Sequence, residues 1–296
     1  MMNQESRIAA LAQGKFVEGV LRNADPSKLY EESILYDKGQ ITQSGGLASF
    51  SGNKTGRSPK DKRIVMQDSI KDDVWWGEVN MPLEESAFAQ AKQRAVDFLD
   101  NCEHFYVLDA FAGWDPASQL KIRVICSRAY HALFMHNMLI RPTPEQLADF
   151  GEPDYVIYNA GQQLADTSIE GIDSTASVSL NFDSGEMVIL GTEYAGEMKK
   201  GVFTIMNYLM PKKDVLSMHC SCNVGEKHDV RCSLVFLEPA RPPYPQTAAE
   251  NSLATTNTAG TVAVSSTSKA VATPSALTCQ PKKNLRSSTR FATVPF

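Results

Sequence analysis

Short strand-like runs alternate with helix-like segments over residues 62–210, and this alternation restricts the fold more than any other feature. Runs rich in β-branched and aromatic residues predict strands over residues 62–66, 105–111, 121–127, 154–160, 177–182 and 186–191. Apolar residues at spacings of three and four predict amphipathic helices over residues 83–101, 128–140 and 196–210. The mixture predicts an α/β domain with a mixed sheet.

The composition changes at about residue 237. Residues 237–296 consist largely of Pro, Ala, Ser, Thr and Asn, and they keep no amphipathic period. Such a segment buries too little apolar surface to offset the entropy of ordering the chain. We therefore expect a folded domain over residues 1–236 and a low-complexity, disordered tail over residues 237–296.

Charge and composition exclude several classes of partner. Residues 1–230 hold 22 basic and 32 acidic side chains, which argues against nucleic acid, since phosphate contacts need a basic surface. No apolar run has the length of a membrane helix, and the first residues lack the apolar core of a signal peptide. The six cysteines show no CxxC pair, which fits a reducing compartment.

A loop rich in glycine and basic residues precedes the first of the strands predicted above. Its sequence, SGNKTGRSPKDKRIV (51–65), contains Lys54, Arg57, Lys60, Lys62 and Arg63. The N–H groups of a Gly-rich turn and the fork of an arginine suit a carboxylate or phosphate. A P-loop fits poorly, because its glycines lie one residue further apart and a helix follows it. We expect a substrate loop centred on Arg57; the alternative is a solvated basic turn.

Lys199 and Lys200 fall in the first turns of the helix predicted over residues 196–210. Cations at a helix N-terminus oppose the helix dipole, which costs a little free energy unless a bound anion offsets it. The pair therefore indicates an anion site. A pair of solvent-facing lysines fits the same spacing equally well.

His219 lies in a strand-like run next to Cys220 and Cys222. Structural zinc sites usually place two to four residues between ligands, so this H-C-x-C grouping is too tight for one. A lone histidine is more often a structural residue than a ligand, and the residues alone leave both roles open.

Seven segments, in this order, resemble the signature of ATP-dependent phosphoenolpyruvate carboxykinases. They are TGRSPKDK (55–62), FAGWD (111–115), IRPT (140–143), IYNAG (157–161), GTEYAGEMKKGVF (191–203), NYLMP (207–211) and MHCSCNVGEK (218–227). The resemblance implies the N-terminal, substrate-binding domain of that fold. It also implies a carboxy-lyase of gluconeogenesis, which converts oxaloacetate and ATP to phosphoenolpyruvate, ADP and carbon dioxide. Whether the chain forms a homo-oligomer is left open.

The resemblance also implies roles for individual residues. Arg57 would hold the oxaloacetate carboxylate or the departing carbon dioxide, and Tyr194 would orient the same group. Lys200 and His219 would be two ligands of an active-site Mn²⁺ or Mg²⁺ and would act in catalysis with Arg57. Because a lysine ligand must be neutral, its pKa must be depressed, and a neighbouring cation such as Lys199 has that effect.

After residue 230 the chain departs from the family's signature. It contains no G-x-x-x-x-G-K-[ST] loop for the phosphates of ATP, and residues 231–296 contain no aspartate to serve as a third metal ligand. Read from the third base of each codon, residues 252–260 can encode Leu-Ile-Gly-Asp-Asp-Glu-His-Cys-Trp, which resembles the missing metal segment. In the same frame, residues 267–278 can encode Ile-Glu-Gly-Gly-Cys-Tyr-Ala-Lys, a second match to the family.

We therefore expect a truncated chain with a frame-shifted tail, without a P-loop-like nucleotide domain and inactive as an enzyme. The alternative function is a catalytically dead module that binds a dicarboxylate. We expect a cytoplasmic location; the alternative is a peroxisome-like organelle (glycosome), although the chain ends in TVPF and not in an S-K-L signal.

Overall fold

The computed structural model describes most of the chain up to residue 219 and separate strands beyond it. The residues described are 6–13, 15, 17–219, 221–224, 230–233, 261–265 and 270–272. From residue 218 on, the description covers the backbone only. These residues form two compact units. The first holds residues up to 112 and from 119 to 205, and the second holds residues 113–118 and those described from 206 on.

Helices and strands alternate along the first unit. The helices are α1 (Arg7–Ala12), α2 (Pro26–Tyr36), α3 (Glu85–Asp100), α4 (Ala129–Met138), α5 (Pro144–Ala148) and α6 (Gly196–Lys212), which begins in this unit. The strands are β1 (Val20–Arg22), β2 (Gln40–Ile41), β3 (Leu47–Ala48), β4 (Lys62–Val65), β5 (Met81–Leu83), β6 (Phe105–Ala112), β7 (Leu120–Cys126), β8 (Tyr155–Ala160), β9 (Ser177–Asn181) and β10 (Glu186–Leu190). Every predicted helix and strand is confirmed, with ends that differ by one or two residues at most.

Eight of these strands form one sheet in the order β1-β6-β7-β8-β10-β9-β4-β5. The pairs β6/β7 and β10/β9 are antiparallel, and the other neighbours are parallel. The predicted mixed sheet is therefore confirmed. Strands β2 and β3 form a separate two-stranded hairpin.

Helix α3 packs on the sheet through the apolar stripe that its sequence predicts. Ala91, Ala95 and Leu99 are fully buried in one cluster with Val188 and Leu190 of β10. Small side chains on the helix let its backbone approach the sheet closely, and the burial of this apolar surface holds α3 in place. Helix α4 packs against β6 and β7, and α2 packs against α4.

The directions of the strands bring three connecting segments to one edge of the sheet. Strands β7, β8 and β10 run parallel, so their carboxyl ends lie at the same edge. Strand β9 is antiparallel to β10, and β4 is parallel to β9, so the amino end of β4 lies there too. The loop before β4, the residues after β7 and the turn after β10 therefore meet.

The second unit contains short antiparallel strands. Strand β11 (Val215–His219) pairs with β14 (Thr261–Ser265), which pairs with β15 (Ala270–Ala272), and β12 (Ser221–Val224) pairs with β13 (Val230–Ser233). Strands β14 and β15 lie within the tail predicted to be disordered, while its other residues lie outside the described ones. The boundary at residue 236 stays a prediction. Over the described residues, no helix has the length and apolar character needed to span a membrane.

Candidate anion-binding site

The basic loop (residues 51–61) and the turn after β10 (residues 191–195) touch at this edge of the sheet. Gly52 adopts a left-handed conformation, with φ of 69°, beside the Glu193 side chain. A Cβ at Gly52 would lie 2.6 Å from Glu193 Oε1, the end of a side chain that can shift, so it is the left-handed backbone that favours glycine there.

Carboxylates form ion pairs with three of the five cations in residues 51–65, which comprise the basic loop and β4. Lys54 pairs with Asp61 at 2.5 Å, Lys62 with Glu197 at 2.9 Å and Arg63 with Asp173 at 2.8 Å. These three side chains anchor the loop. Arg57, by contrast, is exposed, and its guanidinium has no hydrogen bond or carboxylate partner among the described residues. Arg57 and the exposed Lys60 are thus the two cations of this sequence without a carboxylate partner among the described residues, and of the two only Arg57 has a planar fork that can take both oxygens of a carboxylate.

A buried ion pair joins the loop to the start of α6. The side chains of Lys62 and Glu197 are 3% and 0% exposed. The Ser58 N–H donates to Glu197 Oε1 at 2.6 Å, while Oε2 forms the ion pair with Lys62. Removing one charge would leave the other buried and uncompensated, so the pair fixes the loop against the helix. Nothing in the sequence pattern separates Glu197 from an ordinary acidic residue in a first helical turn.

Lys199 and Lys200 stand on α6 beside Arg57. Burial lowers the pKa of both lysines, and the Arg57 charge lowers it further. For Lys200 the charges of Lys62 and Lys199 add to the effect, Glu197 opposes it, and the pKa falls to about 8. The depressed pKa expected of Lys200 therefore has burial and Arg57 as larger causes than Lys199. Cations held this close together repel one another, and a bound anion would relieve that repulsion.

The turn that carries Tyr194 is shaped by close backbone contacts. Gly191 has φ of 66°, and a side chain there would overlap the Thr175 carbonyl. The Tyr194 carbonyl accepts a hydrogen bond of 3.2 Å from the Glu197 N–H, which ties the turn to α6. Arg57, Tyr194 and Lys200 thus lie on segments that meet at one edge of the sheet. Their roles toward a substrate stay a prediction.

Arg128, which the sequence did not single out, lies at the same edge, directly before α4. Its buried guanidinium donates to the Phe50 carbonyl at 2.5 Å, to the Glu193 carboxylate at 2.6 Å and to the Asp37 carboxylate at 3.3 Å. Its partners are distant in sequence, so no local pattern could have indicated this arrangement.

The predicted metal ligands lie in different units, so the structure does not test whether they share a site. Lys200 stands in the first unit. His219 ends β11 in the second unit, and its side chain lies outside the description. Among the described side chains, no group of three or more His, Cys, Asp or Glu residues could hold a metal ion. Metal binding by Lys200 and His219 stays a prediction.

The mixed sheet, with a cluster of cations at one edge, defines this unit as an α/β domain. The family model described as phosphoenolpyruvate carboxykinase matches residues 18–236. The chain belongs to the phosphoenolpyruvate carboxykinase family, and the resemblance stated from its motifs is confirmed.

Three relatives illustrate the extent of the similarity. A protein named phosphoenolpyruvate carboxykinase (ATP) 2, from Salinibacter ruber, is 62% identical over 217 residues, which are 73% of this chain and 41% of that relative. A phosphoenolpyruvate carboxykinase (ATP) of Saccharomyces cerevisiae is 53% identical over 216 residues, 73% of this chain and 39% of its own. For phosphoenolpyruvate carboxykinase (ATP) 1 of Arabidopsis thaliana the identity is 50% over 214 residues, 71% of this chain and 32% of that relative. The chain thus spans about two fifths or less of the length of these relatives.

Proposed function

We propose that the first unit is the substrate-binding part of an ATP-dependent phosphoenolpyruvate carboxykinase and binds oxaloacetate at the sheet edge. The observation that carries the proposal is the cluster of Arg57, Lys199 and Lys200, in which no carboxylate of the described residues neutralises Arg57. An arginine fork can take both oxygens of a carboxylate, and Tyr194, in the turn at the same edge of the sheet, would supply a hydroxyl.

The chemistry of this reaction suits such a cluster. Loss of carbon dioxide from oxaloacetate leaves an enolate, whose oxygen then takes the γ-phosphoryl group of ATP. Fixed cations stabilise the negative charge that develops on the enolate oxygen. Arg57 would hold the departing carboxylate, while Lys200 would face the enolate.

The resemblance to the family also implies a divalent cation, Mn²⁺ or Mg²⁺, held by Lys200 and His219. Lys200 fits this role, because its lowered pKa of about 8 makes the neutral, metal-binding amine accessible. When bound, the ion supplies a Lewis acid for the enolate oxygen. A cytoplasmic location, a place in gluconeogenesis and a homo-oligomeric state belong to the same proposal.

A second candidate is a module that binds a dicarboxylate without turning it over. It is favoured by one observation: Arg57, Tyr194, Lys199 and Lys200 all belong to the first unit. The two candidates share a ligand and differ in turnover.

Titration calorimetry of the 296-residue chain with oxalate, a stable dicarboxylate, tests the binding that both candidates require. Arg57→Ala is expected to abolish the binding heat. Lys60→Ala removes an exposed cation from the same loop, and this variant is expected to keep the binding heat of the wild type. Equal binding by both variants would contradict the proposed role of Arg57.

Decarboxylation of oxaloacetate with ATP and Mn²⁺ then separates the two candidates. Turnover that Arg57→Ala abolishes supports the enzyme, whereas oxalate binding without turnover supports the binding module. ADP release measured alongside shows whether phosphoryl transfer accompanies the loss of carbon dioxide.

A further inference from the structure

Arg128 connects the two segments that carry the proposed substrate residues. Through Nη1 it donates to the Phe50 carbonyl, at the start of the basic loop that bears Arg57. The same nitrogen lies 2.6 Å from the carboxylate of Glu193, the residue directly before Tyr194. One guanidinium thus spans both segments.

The Arg128 side chain is buried and is also bonded to Asp37. Its remaining donors bind the Asp37 carboxylate at 3.3 Å and the Asp37 carbonyl at 3.1 Å. The other carboxylate oxygen of Asp37 accepts from the Tyr130 N–H at 3.0 Å, at the first turn of α4. Asp37, the residue that follows α2, therefore holds the Arg128 guanidinium with two acceptors and is itself bonded to α4.

Hydrogen bonds hold both the side-chain carboxylate and the backbone carbonyl of Glu193. Arg128 binds its carboxylate, while the Tyr130 hydroxyl and His131 Nε2 donate to its backbone carbonyl, the latter at 2.7 Å. A carbonyl with two side-chain donors has both lone pairs engaged. These contacts fix the peptide that leads into Tyr194.

We propose that Arg128 is a positioning residue that sets the spacing between Arg57 and Tyr194, with Glu193 as the group through which it acts. The inference rests on the proposed function only for the identity of the ligand. A lysine could not replace Arg128, because a single ammonium cannot present the planar fork that reaches three segments at once. Anion affinity is then governed by a residue that does not touch the anion.

Glu193→Gln is the main test, because it keeps the size of the side chain and leaves the Arg128–Asp37 contacts intact. Glu186→Gln is the matched control: Glu186 is also a mostly buried carboxylate, paired with Lys92 at 2.6 Å, but it stands at the opposite end of β10. Oxalate affinity is measured by calorimetry and stability by urea denaturation, each on the 296-residue chain. Glu193→Gln is expected to weaken oxalate binding about tenfold, the scale of one lost charge-assisted hydrogen bond, while Glu186→Gln leaves the affinity unchanged at a similar loss of stability.

Hydrogen exchange decides the positioning role independently of any ligand. In Glu193→Gln, the amides of residues 51–58 and of residues 192–195 are expected to exchange faster together, and in Glu186→Gln neither segment changes. Tyr130→Phe removes one donor to the Glu193 carbonyl. It is expected to accelerate the hydrogen exchange of the amides of residues 192–195.

Unchanged exchange in both segments of Glu193→Gln, or an oxalate affinity equal to that of Glu186→Gln, would overturn the inference. A wild-type chain that binds no oxalate would instead refute the proposed function. In that case the exchange pattern still decides whether Arg128 and Glu193 hold the two segments together.

Discussion

His131 gives a pH test of the packing behind the candidate site. Its ring is fully buried in α4, and Nε2 donates to the Glu193 carbonyl. Burial lowers the pKa of His131 from 6.5 to about 3; the bond to Glu193 opposes this shift, and the Arg128 charge adds to it. The folded protein therefore keeps this histidine neutral over a range in which the unfolded chain protonates it.

The sign and size of the effect follow from proton linkage. As the pH falls below 6.5 the unfolded chain takes up a proton at His131, while the folded protein does not do so until about pH 3. Stability is therefore lost as the pH falls between these values. Between pH 7 and pH 5 the His131 contribution amounts to a loss of about 1.9 kcal/mol.

Urea denaturation of the wild type and of His131→Gln at pH 7 and pH 5 measures this contribution. Glutamine can donate to the same carbonyl but does not titrate, and groups that titrate in both proteins cancel in the difference. The stability of the wild type relative to the variant is expected to fall by about 1.9 kcal/mol between the two pH values. A change below about 0.5 kcal/mol would refute the reasoning, because His131 would then protonate alike in the folded and unfolded states.

Three further substitutions test the scaffold, each by urea denaturation at pH 7. Lys62→Met leaves the buried Glu197 carboxylate without its cationic partner and is expected to cost about 3–5 kcal/mol; a loss under 1 kcal/mol would mean that water reaches the pair. Gly191→Ala places a side chain against the Thr175 carbonyl at a left-handed position and is expected to cost more than about 2 kcal/mol, so an unchanged midpoint would contradict the close contact. Thr143→Ala removes the capping box of α5 and is expected to cost about 1 kcal/mol, whereas Thr143→Ser should cost less.

The parts of the fold that could be predicted are those in which local pattern and burial agree. In α3 the apolar period of Phe88, Ala91, Ala95 and Leu99 matches the buried face, and only Phe98 of the predicted stripe is half-buried. Strands β6 and β7 are almost wholly buried, which fits their content of β-branched and aromatic residues, and the charged Asp109 and Arg123 within them pair with each other at 2.7 Å.

The sequence pattern does not predict helix α2, because this helix buries polar residues and exposes apolar ones. It buries Glu32 and Ser33 and leaves Leu35 and Tyr36 exposed. Glu32 is accommodated by the Tyr106 hydroxyl, which donates to it at 2.9 Å, a contact between distant parts of the chain. A pattern that assumes apolar residues inside cannot find such a helix.

In the candidate site, too, local sequence pattern predicts some residues, while the roles of others depend on contacts between distant parts of the chain. Local spacing indicated Arg57 and the lysine pair, because a glycine-rich loop and a helix start are local features. It could not distinguish Arg57 from Lys54 and Lys62, since the partner of Lys62 lies 135 residues away and that of Lys54 becomes apparent only in the folded loop. Arg128 was not predictable for the same reason, because its role depends on three segments that meet only in the sheet.

The position of bound oxalate in a crystal of the 296-residue chain tests the central claim most directly. The account predicts one oxalate at the sheet edge, with a carboxylate in hydrogen-bond contact with the Arg57 guanidinium and with Tyr194 and Lys200 around it. Oxalate bound at another surface, or an Arg57 side chain paired with a protein carboxylate in its place, would contradict the account.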